Sequence, residues 1–182
     1  MIQFLDDQTK NVSSPDKLLI TALANLDNQT FAHSKRVQVL ALVLGKRIGL
    51  TSRELDLLKM GALLHDIGKQ YIPKEILDKE AALTPDEWEQ IQLHPIFGWQ
   101  CVASMGLDET VERIILDHHL WANGEGGYPR GFGRPRPCIL TKITTVADVA
   151  DAMTQDRPYR PALGVTTCME YLEENSGAVF VK

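Results

Sequence analysis

The five histidines of this 182-residue chain are His33, His65, His94, His118 and His119. Each falls on or at the end of a stretch that reads as helix. Asp66 directly follows His65, and Asp148 sits in the otherwise apolar run ITTVADVADAM. An aspartate among apolar residues is costly to bury unless something neutralises it, and a metal ion would. Imidazole with carboxylate is a donor set for zinc, manganese or non-haem iron. Five histidines and two aspartates are enough for two adjacent metals with one aspartate bridging. The bland alternatives stand beside this reading. A single helical histidine is more often a surface or satisfied core residue, and Asp148 could cap a turn or pair with Arg157. Periodicity alone does not show that the seven side chains converge.

The elements that would position them are almost all helical. Ser14-Pro15 is a helix start, with apolar residues recurring to Leu26. A second helix is expected over 31–48, with Val37, Leu40, Ala41, Leu44 and Ile48 as its apolar stripe and Gly49 ending it. Thr51 with Glu54 forms a capping box for a helix to about His65. Thr84-Pro85-Asp86-Glu87 repeats that signature and opens a helix ending near His94. Further helices are expected over 96–104, from Asp108 to His118–His119, over 138–153 and over 166–174. Gly, Pro and Arg dominate 123–137, which reads as a long ordered loop; such loops are uncommon unless functional. The expected class is a single-domain all-α bundle, with an N-terminal helical segment over 1–28 and the main domain over 29–182, its last helix short and its C-terminal end frayed.

Composition narrows the functions. A net charge of −5 argues against broad nucleic-acid binding. No run approaches the roughly 20 apolar residues of a membrane span, and MIQFLDDQTK lacks a signal-peptide pattern. Cys101, Cys138 and Cys168 are far apart and odd in number, which suits free thiols in a reducing cytoplasm and disfavours a thiolate zinc site. The expected location is cytoplasmic.

The local words carry more. GALLHDIGK (61–69), His94-Pro95, the pair His118–His119, GGYP (126–129) and VADVADAMTQDRPYR (146–160) come in the order seen in the HD-GYP family. The chain strongly resembles that branch of the HD metal-dependent phosphohydrolases over about residues 29–175. HDIGK is shared across many HD enzymes; GYP together with DRPYR is more specific. The resemblance implies a helical bundle of the HD phosphodiesterase type that hydrolyses cyclic di-GMP to linear pGpG, with or without a further step to GMP. It makes His33, His65, Asp66, His94, His118, His119 and Asp148 the metal ligands, with Asp66 the bridge. It places Lys69 at the phosphate and makes Arg157, Arg160 and Tyr128 substrate contacts. Two divalent ions about 3.5–4 Å apart can lower the pKa of a bridging water and clamp phosphate oxygens, which is what an anionic diester requires. Iron or manganese is expected, with zinc or nickel as alternatives. Trp99 and Trp121 read as packing residues.

Three departures from the family pattern bear on substrate and metal number. Leu120 stands where the family has glutamate after the histidine pair. Asn123 stands where the loop has aspartate, and that loop is one residue longer. Gln29 stands where three-metal members carry a glutamate ligand, so two metals are expected. A second reading is therefore a module that binds cyclic di-GMP, or a diguanylate cyclase (GGDEF) partner through the GYP loop, without turnover. A third is an HD phosphohydrolase acting on another cyclic dinucleotide or nucleotide.

Overall fold

The computed structural model describes residues 14–131, 136–156 and 161–181. Nine α-helices lie within them: α1 (Ser14–Ala24), α2 (Asn28–Arg47), α3 (Ser52–Leu64), α4 (Lys74–Leu77), α5 (Pro85–Ile91), α6 (His94–Val102), α7 (Glu109–Asp117), α8 (Ile139–Thr154) and α9 (Val165–Glu174). A 3-10 segment, Ile67–Tyr71, follows α3. No strand longer than an isolated bridge occurs among the described residues, so the all-α expectation holds. Arg157 and Arg160 lie outside the described residues.

The helix starts follow their local chemistry. The Asp27 carboxylate accepts from the Gln29 and Thr30 amides and begins α2 three residues earlier than the apolar pattern does. Thr51–Glu54 and Thr84–Glu87 form the reciprocal capping boxes expected of them. Each satisfies two amides that the first helical turn leaves unpaired.

α2 packs against α3 and α8, α3 also against α7, and the 3-10 segment against α6. Two apolar clusters result. One joins α1 to the rest through Ala22, Leu26, Leu64, Val102 and Ile115. The other joins α2, α3, α7 and α8 through Val37, Leu58, Ile114 and Ile143. Leu58, Leu64, Ile114 and Ile115 are fully buried, each worth about 1.5–3 kcal/mol. α1 thus shares a core with the bundle.

The apolar stripe expected on α2 needs correction. Val37 and Ala41 are buried, but Leu40, Leu44 and Ile48 are exposed. The buried face instead runs His33, Ser34, Val37, Ala41, Gly45. The segment VQVLALVL is apolar nearly all round, so its periodicity does not choose a face. Small residues do: a side chain at Gly45 would crowd Leu50 and Leu58, so this edge is where α2 can approach α3 closely.

Residues 175–181 also differ from the frayed end expected. They turn back onto the glycine-rich loop. The amides of Ala122 and Asn123 donate to the carbonyls of Val179 (3.0 Å) and Ala178 (3.1 Å), and Phe180 is buried.

Candidate metal centre

Three of the five histidines stand where a helix ends. His65 follows α3, His118 follows α7, and His94 lies three residues past the end of α5. The last carbonyls of a helix lack an intrahelical partner, and each ring uses one. His65 Nδ1 lies 2.8 Å from the Ala62 carbonyl, His94 Nδ1 2.7 Å from that of Ile91, and His118 Nδ1 2.9 Å from that of Ile115. A carbonyl oxygen only accepts, so Nδ1 carries the hydrogen in all three and Nε2 keeps its lone pair. Metal-binding histidines are oriented in this way.

His33 is held differently. Its Nδ1 lies 2.6 Å from Asp151 Oδ2, and Arg36 donates to the same carboxylate through Nε (2.7 Å) and Nη2 (3.0 Å). His33 and Arg36 are one turn apart on α2; Asp148 and Asp151 are one turn apart on α8. Where the helices pack, the two pairs meet. Asp151 is buried, and sequence reasoning passed over it. Its signal was the three-residue step from Asp148 inside an apolar helix, which puts both carboxylates on one face.

The Nε2 atoms converge on Asp66. His33 and His65 lie 3.5 and 3.4 Å from Oδ2, while His94 and His118 lie 3.3 and 4.0 Å from Oδ1. Asp148 Oδ1 adds contacts at 3.0 Å to His33 and 3.8 Å to His65. The donors fall into two groups, His33–His65–Asp66 and His94–His118–His119; within each, the ligand atoms are within 4.8 Å of one another. Asp66 is brought this close by Gly68, where any side chain would strike the His94 carbonyl and the Gly98 backbone. Glycine there lets the 3-10 segment lie directly on α6.

This arrangement fits divalent metals. His65 Nε2 and Asp66 Oδ1 are buried without a hydrogen-bond partner, a costly state in a protein interior, and His33 Nε2 faces the Asp148 carboxylate at 3.0 Å. His94 Nε2 and His118 Nε2 are 3.1 Å apart; two lone pairs that close repel unless a cation or proton lies between them. The charge states agree. Burial, with the neighbouring His119, His65 and His94, pulls His118 well below the usual histidine value. Burial and His94 pull His119 down to about 3. Burial opposes ionisation of Asp66, yet the Lys69 ammonium and His65 hold it well below the ordinary carboxylate range. Asp148 is likewise held down, against burial, by His33 and His65. His33 is the exception: burial works against its cation, but Asp148 and Asp151 outweigh that and raise it to about 9.

Four members of the cluster, His33, His94, His119 and Asp148, form the floor of a cleft of about 840 Å³, within the range of small-molecule sites. Lys69 and Tyr128 line it, as does Gln29. Lys69 Nζ is bonded to Asp66 Oδ2 at 2.6 Å. Tyr128 stacks on His119, ring centroids 4.6 Å apart; burial, with Asp148 and Asp66, raises its phenol above the usual range. Asn123 makes an Asx turn, accepting from the Glu125 amide at 2.9 Å. Gly127 has φ +84°, and a side chain there would meet the His119 carbonyl, which accepts from the Tyr128 amide at 3.2 Å. The loop is thereby folded back on the second histidine of the pair. The cysteines are free thiols and belong to neither donor group, and no helix among the described residues is long and apolar enough to cross a membrane.

Comparisons with known proteins agree with this geometry. The sequence profile of the HD domain family matches residues 17–180. The "3'3'-cGAMP-specific phosphodiesterase 3" of Vibrio cholerae is 34% identical over 146 residues, which are 80% of this chain and 32% of that protein. The "Cyclic di-GMP phosphodiesterase response regulator RpfG" of Xanthomonas campestris is 32% identical over 164 residues, 89% of this chain and 43% of that protein. The chain therefore spans less than half the length of these relatives. Among solved structures, the HD-GYP-type protein Bd1817 of Bdellovibrio bacteriovorus superposes with a TM-score of 0.68 at 24% identity, over 87% of this chain and 51% of that one.

Proposed function

The chain belongs to the HD domain family, and on that premise we propose that it is a metal-dependent phosphodiesterase that opens cyclic di-GMP to linear pGpG. The observation that carries this is the convergence of the His33, His65, His94 and His118 Nε2 atoms on Asp66, at a cleft that His33, His94, His119 and Asp148 line and that is sized for a dinucleotide. His33, His65 and Asp148 would hold one divalent ion and His94, His118 and His119 the other, with Asp66 shared. Iron or manganese is favoured over zinc or nickel. Such a pair supplies an activated water near neutral pH and offsets phosphate charge.

The chain's own groups do the rest. Depressed His118 and His119 keep their lone pairs available at neutral pH, as ligands must. Asp66 and Asp148 stay ionised. Lys69, beside Asp66 and lining the cleft, offers its ammonium to the phosphate or the departing sugar oxygen. Tyr128, with its raised phenol, remains a hydrogen-bond donor to substrate throughout the working pH range.

The test is incubation of protein loaded with manganese or ferrous iron with cyclic di-GMP, and chromatography of the products. pGpG is expected, and none should form after His65→Ala or Asp66→Ala. No turnover by the wild type with either metal would overturn the reading. The relationship to a cGAMP-specific enzyme supports a second reading, in which 3',3'-cGAMP is the better substrate. Ranking kcat/KM for the two dinucleotides decides between them.

A further inference from the structure

α5 is an unusual element. It has seven residues, none of them buried, and a helix that short is marginal by itself. Two side-chain devices hold it. Glu87 closes the capping box with Thr84, and Lys79 Nζ donates to both Glu87 oxygens, at 2.8 and 2.6 Å. In the middle sits Trp88, 46% exposed, belonging to neither apolar cluster. The largest apolar side chain of α5 is therefore not what fixes α5 to the protein.

Its surroundings give it another use. The indole lines the same cleft as the histidines, beside Lys79, Leu83, Ile91 and Tyr128. Its ring meets Tyr128 edge-on, centroids 6.2 Å apart and planes at 79°. Tyr128 in turn has one face taken by His119. Aromatic rings thus run outward from the metal-ligating histidines: His119, then Tyr128, then Trp88. A dinucleotide whose phosphate lies at the histidines must place its bases along the walls, and the Tyr128 ring is already partly covered.

We propose that Trp88 is a nucleobase platform, stacking its indole against a purine of the substrate while the phosphate lies on the cluster. This rests on the phosphodiesterase reading above. Stacking uses the π-face that every base has, so Trp88 would support affinity for guanine and adenine alike and leave discrimination to other groups. Lys79, locked to Glu87, would keep the platform in place.

The variants are Trp88→Ala and Trp88→Phe. Stacking on one aromatic ring is worth about five- to a hundred-fold in affinity. Trp88→Ala should raise KM for cyclic di-GMP within that range, with kcat changed less than about two-fold, and Trp88→Phe should recover most of the loss. Turnover of bis(4-nitrophenyl) phosphate, a diester without a nucleobase, should fall far less. In chelator-treated protein, 5'-GMP should quench tryptophan fluorescence saturably, ribose 5-phosphate should not, and Trp88→Phe should abolish the quenching. Three results would overturn the proposal: an unchanged KM in Trp88→Ala, parallel losses on both diesters, or no 5'-GMP quenching that depends on Trp88. If the wild type hydrolyses no cyclic dinucleotide, the phosphodiesterase reading fails by itself, and the quenching experiment still decides the platform.

Discussion

The floor and the rim of the cleft are built by different means. On the floor, His65, His94 and His118 are aimed by backbone carbonyls at helix ends, and all three are buried. On the rim, α5 is held by a capping box and one ion pair, and the Asn123–Tyr128 loop adds an Asx turn and ring stacking to its backbone bonds with Ala178 and His119. Carbonyl positions follow from the fold, so the floor is as rigid as the bundle. Rim contacts can change one residue at a time without disturbing a helix. Under the proposed function, the difference would separate reaction class, fixed below, from substrate choice, adjustable above.

The sharpest way to break this division is Asp66→Ala. Both donor groups converge on this carboxylate, so the variant should lose bound metal and bring turnover below detection. Far-ultraviolet circular dichroism should be unchanged, because Asp66 contributes no packing to either apolar cluster. Elemental analysis alongside product chromatography checks it. Metal retained at wild-type stoichiometry would show that the groups do not share Asp66.

His33 tests whether the floor is uniform. It is the one floor histidine aimed by a carboxylate. Asp151→Asn keeps the shape but weakens that hold, and loss of such an outer partner typically costs about 10–100-fold in metal affinity or activity. The expected result is weaker retention of one metal equivalent under competition with a chelator, with the second equivalent unaffected. Equal weakening of both would mean that the two groups respond as one.

The same contrast explains what could be read before any coordinates. The histidines were legible because they are few, and the helices that lead to His65, His94 and His118 were legible because Thr51, Thr84 and Asp108 cap their starts. Convergence was not legible from periodicity, since it depends on Gly68 letting the 3-10 segment lie on α6. Asp151 was hidden because its partner, His33, is 118 residues away in sequence. The outward face of α2 was misread because Leu40 and Leu44 look as apolar as Val37. Trp88 drew no notice, since an indole beside a capping box reads as ordinary helix. Every miss involved packing between segments distant in sequence.

Gly127→Ala attacks the rim where it rests on the floor. With φ at +84° and the His119 carbonyl in the way, the added methyl costs about 1–3 kcal/mol. In a chain of this size that lowers Tm by roughly 2–4 °C per kcal/mol. KM should rise through the displaced Tyr128, while the metal held beside His33 stays. A Tm equal to wild type would mean that the loop tolerates another path.

Removing metal separates the floor histidines by sign. His33 has a folded pKa raised from 6.5 to about 9, so the stability it gives the metal-free protein is complete below 6.5 and lost as pH rises through 9. His119 and His118 are depressed. The unfolded chain binds protons that they refuse, so their effect lowers stability as pH falls below 6.5. Chelator-treated protein should therefore be most stable near pH 6.5, with Tm declining on both sides. If His33 is a ligand as proposed, metal would displace its proton, and loading should remove the alkaline decline. Differential scanning fluorimetry from pH 5 to 9, with and without manganese, reads both arms. An alkaline decline that persists in His33→Gln would assign it to another group.

The smallest effect expected is at the outer edge of the rim. Lys79 and Glu87 are each about a quarter exposed, and ion pairs in such positions contribute about 0–1 kcal/mol. Lys79→Met keeps the apolar stem and removes only the charge. Glu87 can still close the box with Thr84, so α5 should persist and Tm should shift by no more than about 2–4 °C. Bound metal should not change, because no floor ligand touches Lys79. What should move is KM, by a few-fold, if α5 loosens without unfolding. A change in metal content would join rim and floor into one unit and end the division; a change in KM alone would show that a single exposed ion pair tunes substrate affinity while leaving the reacting centre untouched.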